Sequence, residues 1–375
     1  MKLNYSFLEK MSNAFGPPGH ETEVAKIVKE YVSTFADEIF NDKTGSLIFK
    51  IGKDSGPKIM ISGHIDEVGM LVTGINKQGY LTFHQIGGWW DQSLLTQRVL
   101  IRTSKGETYR GIITAPPPHV LPEEVRKKVV TKDKMFIDVG CKSKQEVEEL
   151  GIQIGDPIVP DSKFEIITRT QIEKKGEEEK RKEVTLAIGK AFDDRIGLFI
   201  AAEAMRRIKE ENIDHPNQLF GVATVQEEIG LRGAQTSAQM IQPDIGFALE
   251  VDISGDVPGV EKIKAPAEMS KGISIFVGDA SMIPNPRLRN FVIDIARKLK
   301  IDYQLSHVMG GGTDAGKIHL IGPGCPSLVI GVPTRHIHSH NGILDLGDVE
   351  KAVNLIVEVI KQLNQETVNS FTRID

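Results

Sequence analysis

The run Val222-Ala-Thr-Val-Gln-Glu-Glu-Ile-Gly-Leu-Arg-Gly-Ala234 constrains this chain more than any other stretch, because an apolar, β-branched segment ends abruptly in two adjacent carboxylates. A segment of this kind is a buried strand, and in open α/β sheets ligands sit at the carboxyl ends of the strands. Neighbouring residues in extended backbone point to opposite faces, so Glu227 and Glu228 are expected to do different work. Environment can divide chemically identical groups, one holding a metal while the other moves protons. The competing reading is a solvated pair that merely opens a loop.

A chain of 375 residues exceeds one compact domain of ordinary size, and two are expected. A hydrophobic share of 40% and a charged share of 26% are those of a soluble globular protein. Net charge of -5 and a pI near 6.1 argue against nucleic acid or an anionic membrane as partner. No run approaches a membrane span, and Met1-Lys-Leu-Asn-Tyr-Ser-Phe-Leu lacks the apolar core of a signal peptide, so a cytoplasmic setting is expected. Cys141 and Cys325 lie far apart without Cys-x-x-Cys spacing, which fits reduced structural thiols.

Residues 3–15 and 22–36 have helical apolar spacing, interrupted by Gly16-Pro-Pro-Gly19. Ser46–Ile51 alternates like a strand, and Lys58-Ile-Met-Ile-Ser-Gly-His-Ile-Asp66 is a second strand whose end carries His64 and Asp66 on one face. A carboxylate beside an imidazole is how a metal-bound histidine is held in its tautomer. From 68 to 161 the texture changes to short β-like pieces broken by glycine and proline, with both tryptophans and one short helix at 144–150. This predicts an inserted small β-barrel domain (68–161) within a catalytic domain made of 1–67 and 162–375. The charged stretch 173–182 is balanced in sign and reads as a solvated hairpin or loop.

The α/β pattern resumes with a strand at 184–188, Asp193 and Asp194 at the start of a helix that reaches 211, and the Glu227–Glu228 strand. A short helical stretch near 236–240 follows, then the strand 245–252, apolar until it meets Glu250 and Asp252. A helix at 286–299, the turn Gly310-Gly-Gly-Thr-Asp-Ala-Gly316, a strand at 327–331, the segment Arg335-His-Ile-His-Ser-His340 and a long amphipathic helix at 345–364 complete the chain. Carboxylates and imidazoles at the ends of several strands of one sheet are the ligand chemistry of zinc, cobalt or manganese. The glycine-rich turn lacks the Walker lysine and the dinucleotide spacing, and no Gly-x-Ser-x-Gly is present.

These residues resemble the dinuclear metallo-aminopeptidases of the tetrahedral (TET) and glutamyl-aminopeptidase type, some of which carry the label cellulase. The resemblance rests on Gly16-Pro-Pro-Gly-His-Glu21, Gly63-His-Ile-Asp-Glu-Val-Gly69, Ala191-Phe-Asp-Asp-Arg-Ile-Gly197, Gln226-Glu-Glu-Ile-Gly-Leu-Arg-Gly-Ala234, Gly312-Thr-Asp-Ala315 and Pro333-Thr-Arg-His-Ile-His-Ser339, spread over nearly the whole chain. It implies a mixed-sheet α/β fold of the phosphorylase/hydrolase-like, zinc-exopeptidase kind and two divalent ions per subunit, Zn2+ or Co2+. One ion would be held by His64, Asp193 and the strand acid Glu250, the other by Asp193, Glu228 and His338, with Glu227 as general base and acid and Asp66 orienting His64. It further implies a cis peptide between Asp193 and Asp194, short peptides as substrates, and homo-oligomers that reach twelve-subunit tetrahedral particles.

Two departures stand out. His336 occupies a position where the family has tyrosine, so that His336 and His340 flank His338 as competing ligands, and Glu250 replaces the commoner aspartate with Asp252 two residues on. Asp314 is expected either to shape the substrate site or to cap a helix. The alternatives are a metal-independent glycosidase working through paired carboxylates, in which strand-end histidines have no role, and a non-catalytic peptide-binding protein, in which Glu227 has none.

Overall fold

A computed structural model describes residues 2–175 and 178–374 and turns the apolar runs into one 11-stranded sheet and one closed barrel. The first strands are β1 (Glu38–Asn41), β2 (Leu47–Ile51) and β3 (Lys58–His64). The barrel takes β4 (Gly69–Ile75), β5 (Tyr80–Ile86), β6 (Arg98–Arg102), β7 (Thr108–Thr114), β8 (Phe136–Asp138) and β9 (Pro157–Pro160). The chain then returns to the sheet with β10 (Glu165–Lys175), β11 (Glu178–Gly189), β12 (Gln218–Thr224), β13 (Ile245–Ile253), β14 (Ile273–Asp279), β15 (Tyr303–Val308), β16 (Ser327–Arg335) and β17 (Gly342–Asp345).

Sheet order is β1-β2-β12-β3-β13-β16-β17-β11-β10, with β14 against β16 and β15 beyond it. The central strands β12, β3, β13 and β16 are parallel and covered on both faces, which is why they read as continuous apolar runs. Along β3, Ile59 and Ile61 face the layer of helices Tyr5–Asn13, Thr22–Val32, Phe192–Glu210, Pro286–Lys298 and Leu346–Gln362, while Met60 faces helices Arg232–Ile241 and Ala315–Ile318. A Cβ on Gly63 would come within 2.1 Å of the Leu198 backbone nitrogen, so glycine lets the helix Phe192–Glu210 lie directly on the end of β3.

Because the central strands are parallel, their carboxyl ends open at one edge. Thr224 pairs with His64 and Ala248 with Ser62, which sets Glu250 level with His64. Two expectations need correction. The strand before the glutamate pair ends at Thr224, and Glu227 and Glu228 sit on the following turn. The other is the end of the strand that carries Asp252, expected where the sequence turns acidic just past Glu250: β13 stays paired with β16 as far as Ile253↔Thr334, and Asp252 is only 2% exposed.

The barrel closes in the order β4-β5-β8-β7-β6-β9 around alternate residues such as Met70, Val72, Leu81, Val99, Ile101 and Ile137. The charged stretch 173–182 falls on the paired arms of β10 and β11, with residues 176 and 177 outside the described residues.

Candidate metal centre and active site

Asp193 stands between two imidazoles. Its Oδ1 lies 3.2 Å from Nε2 of His64 and its Oδ2 lies 3.1 Å from Nε2 of His338. The helix that carries it is interrupted at Asp193 and Asp194, whose peptide bond is cis, and Ala191 before them is left-handed at φ 55°. On the far side of each ring, Nδ1 meets a backbone carbonyl, that of Asp66 at 3.2 Å from His64 and that of Gly88 at 2.9 Å from His338. A carbonyl only accepts, so each ring carries a proton on Nδ1 and turns Nε2 toward Asp193, the side on which an ion would bind.

The glutamate pair divides between these two imidazoles. Glu227 Oε2 is 3.6 Å from His64 Nε2, and Glu228 Oε1 is 3.5 Å from His338 Nε2. Both side chains enter the same cavity, which opposite faces of a strand would have prevented. The turn is shaped by Asp66, whose Oδ1 accepts the backbone N–H of Glu227 and whose Oδ2 accepts that of Glu228, each at 3.0 Å. Asp66 Oδ1 also lies 3.5 Å from His64 Nδ1, so the expected contact with the histidine is accompanied by a second task.

A cavity of about 690 Å³ is lined by His64, Asp193, Glu227, Glu228, Glu250 and His338 at its base, and Asp252 is not among its lining residues. Of the three histidines near 338, His336 is exposed and His340 is buried beneath the barrel, its ring 5.4 Å from that of Trp89; neither lines the cavity. Asp314 does not cap the short helix after it. Its Oδ2 accepts the Thr224 hydroxyl at 2.6 Å, tying the glycine-rich turn to the end of β12.

The electrostatics are those of a site built around cations. Burial pushes Glu227 and Glu250 well above the usual carboxylate range and Glu228 up to about 7. Burial opposes a charge on His64, yet Glu227, Asp193 and Asp66 outweigh it and hold its pKa well above the ordinary value; on His338 the same contest, with Glu228 and Asp193 winning, ends at about 10. Glu228 Oε1 and Glu250 Oε1 are buried without a hydrogen-bond partner. Ligand atoms of His64, Asp193 and Glu228, and of His64, Asp194 and Glu250, lie within 4.8 Å of one another. Nitrogen and carboxylate oxygen at this spacing fit divalent transition ions. In the second group Asp194 is already committed, because its two oxygens accept the backbone N–H groups of His64 at 3.1 Å and Gly197 at 3.0 Å.

Residues 45–355 match the family model of the M42 glutamyl aminopeptidases. The chain belongs to the M42 aminopeptidase family. It is 32% identical to a lysyl aminopeptidase of Pyrococcus furiosus over 96% of this chain and 98% of that one. Its fold matches a TET aminopeptidase from a marine-sediment Thaumarchaeota archaeon with a TM-score of 0.92 and 50% identity over 98% of each chain. A TET1 peptidase of Pyrococcus horikoshii, described as assembling into a tetrahedron or a large octahedral shell, matches with a TM-score of 0.79 and 28% identity over 96% of this chain and 99% of that one. This M42 chain is therefore a metal-dependent aminopeptidase, and the glycosidase and binding-protein readings fall away.

Three parts of this M42 site escape a linear reading. The inserted barrel is not remote from the chemistry, because its Gly87-Gly88 turn closes one wall. A Cβ at Gly87 would meet Glu228 Oε2 at 2.7 Å, and one at Gly88 would meet His338 Nδ1 at 2.7 Å. A Gly-Gly doublet at a strand end was the available signal. Second, Lys190 and Arg195 bracket Asp193 and converge on buried Glu67, with Lys190 Nζ 2.6 Å and Arg195 NH2 3.1 Å from Glu67 Oε1. Arg195 also donates to the carbonyls of Ile65 at 3.0 Å and Met11 at 2.7 Å, so the first helix, β3 and the aspartate loop share one anchor. Third, Asp194 ties that loop to β3 through the His64 N–H.

Proposed function

We propose that His64, Asp193 and Glu250 hold one divalent ion and Asp193, Glu228 and His338 a second, with Zn2+ or Co2+ as the working metals, and that Glu227 carries the proton during removal of N-terminal residues from short peptides. The observation that supports this most directly is Asp193, which turns one oxygen to each histidine. When bound, such ions would lower the pKa of water in the site and offset negative charge on the scissile carbonyl oxygen. Glu227 Oε2, 3.6 Å from His64 Nε2, takes the proton of the attacking water and returns it to the departing amine. Asp66 keeps Glu227 in reach through its backbone and keeps His64 oriented. The buried carboxylates of the site suit the free α-ammonium group of a peptide N terminus.

Away from these acids the cavity is walled by Leu231, Phe276, Val308 and Met309, with Lys264 at its exposed rim paired to Glu261 at 3.0 Å. This wall favours large uncharged N-terminal side chains. The experiment is hydrolysis of aminoacyl p-nitroanilides by protein stripped with EDTA and reloaded with zinc, cobalt or manganese. Cleavage that survives EDTA, or that extends to N-acetylated substrates, would overturn this reading.

The catalytic body made of 1–67 and 162–375 carries the insertion 68–161 as an assembly domain. The exposure of Trp90, Val120 and Val129 on it supports this, at 65%, 73% and 59%. Glutamate at these positions is expected to reduce particle size in solution while leaving the cavity walls intact. No helix among the described residues is long and apolar enough to cross a membrane, and Cys141 and Cys325 are both unpaired. A reducing cytoplasm suits that pair of thiols.

A further inference from the structure

The Gly16-Pro-Pro-Gly-His-Glu21 loop has no part in the metal site, yet its last residue reaches the base of the glutamate turn. Glu21 is 6% exposed, and its Oε1 accepts the backbone N–H of Gly19 at 2.8 Å and of Gln226 at 3.1 Å. Asp66 accepts the next two N–H groups, those of Glu227 and Glu228. Three consecutive amide donors therefore converge on two carboxylates, and β12 has already ended at Thr224, so no strand partner is available to them. Gln226 is left-handed at φ 56°, a backbone that a side chain-bearing residue adopts only where the surroundings enforce it.

Glu21 is itself held firmly. Pro17 and His20 close a turn through a 2.9 Å backbone bond, with Gly19 at φ 82°. Gly16 donates to Glu67 Oε1 at 3.2 Å and accepts from the Glu67 N–H at 3.0 Å, and Arg195 donates to its carbonyl at 3.4 Å. A Cβ on Gly16 would meet Val24 Cγ2 at 2.7 Å and Arg195 NH2 at 3.0 Å, so the loop packs against the same anchor that brackets Asp193.

We propose that Glu21 is a positioning residue for the reaction. By fixing the N–H of Gln226 it sets where the backbone leaves β12, and hence where the Glu227 carboxylate stands relative to His64. It does not line the cavity and reaches the glutamate turn through the Gln226 N–H. This rests on the reading of Glu227 as the proton carrier. The contact requires the length of glutamate and an acceptor oxygen, and it does not require a charge.

Five metal-loaded proteins test it: wild type, Glu21→Asp, Glu21→Gln, Glu227→Gln and Glu21→Asp combined with Glu227→Gln. Each is measured for kcat and KM on one aminoacyl p-nitroanilide, for bound metal and for melting temperature. Aspartate keeps the charge but falls a methylene short of Gln226, so kcat is expected to drop between about tenfold and a hundredfold, with KM within about twofold and two metals retained. Glutamine keeps the acceptor and is expected to stay within about threefold of wild type. In the Glu227→Gln background the aspartate change is expected to cost little, because the group it positions has lost its task. Wild-type kcat in Glu21→Asp, a loss matched by loss of metal, a glutamine variant as impaired as the aspartate one, or an equal loss in both backgrounds each overturns the proposal. Full activity of Glu227→Gln alone instead overturns the assignment of the proton carrier.

Discussion

The carboxylate of Asp66 accepts the backbone N–H of Glu227 at 3.0 Å, so the residue beside the first histidine also fixes the backbone of the residue proposed as proton carrier. One side chain thereby links the end of β3 to the turn after β12. Asp66→Asn keeps one acceptor and sets an amide N–H against a backbone N–H that needs one. An unsatisfied buried donor costs about 1–3 kcal/mol, and loss of a group that orients a metal-binding histidine typically lowers metal affinity or activity roughly 10–100-fold. The expected outcome is a loss in that range, read by kcat/KM and by metal titration. An asparagine variant with unchanged values for both would show that neither contact matters.

The division of labour between neighbours gives the next prediction. Glu228 Oε1 faces His338 without any hydrogen-bond partner, whereas Glu227 stands beside His64. Glu227→Gln is expected to keep two metals and lose about 10²–10⁴ in kcat, the range for a general base. Glu228→Gln is expected to bind one metal fewer. Elemental analysis of the two dialysed variants decides it, and equal metal loss in both would dissolve the distinction.

Much of this site is legible in the chain because its chemistry lies in short motifs, each at the end of an apolar run. His64, Asp193, Glu227, Glu228, Glu250 and His338 all line one cavity. What stays hidden is long-range. Whether Glu250 or Asp252 stands beside His64 depends on the pairing of Ala248 with Ser62, and register between β13 and β3 leaves no local trace. Asp252 remains in the sheet because β16 offers partners as far as Thr334, again a fact about a distant strand. The Gly87-Gly88 wall, and Glu21 under the turn after β12, join segments that only the folded chain brings together.

That register leads to a third prediction. Glu250 lines the cavity level with His64, while burial pushes Asp252, outside the cavity lining, up to about 6. Glu250→Ala is expected to deplete one metal and most activity, whereas Asp252→Ala should leave two metals per subunit. Metal lost from the Asp252 variant, with the Glu250 variant fully loaded, would reverse the assignment.

The cavity wall of Leu231, Phe276, Val308 and Met309 makes a fourth prediction about substrates. Burying a leucine-sized side chain is worth roughly 1.5–3 kcal/mol, whereas away from the acids of the proposed metal centre a charged one meets the exposed Lys264, already paired with Glu261. Leucyl and methionyl substrates should exceed glutamyl and lysyl ones by at least about tenfold in kcat/KM. A preference for either charged residue would place the substrate side chain elsewhere.

The last prediction concerns the acidity of Glu21. Burial pushes its pKa from 4.5 up to about 7, with Asp66 adding to the rise and the N–H groups of Gly19 and Gln226 opposing it. Lys26 and Lys29 line the same small cavity, and the shift is upward in their presence. The folded protein therefore binds this proton more tightly than the unfolded chain does. By linkage, the favourable contribution of protonated Glu21 is complete below about pH 4.5 and is lost as pH rises to about 7, to a limit of roughly 3 kcal/mol. Glutamine keeps the acceptor but does not titrate, so Glu21→Gln should gain stability over wild type as pH rises from 4.5 to 7, with no further gain above that. Denaturant unfolding of both proteins across this range, at equal metal loading, measures the difference at each pH and cancels the titrations they share. A difference that stays constant with pH would mean that the buried carboxylate is charged throughout, held by neighbours other than the two amide donors.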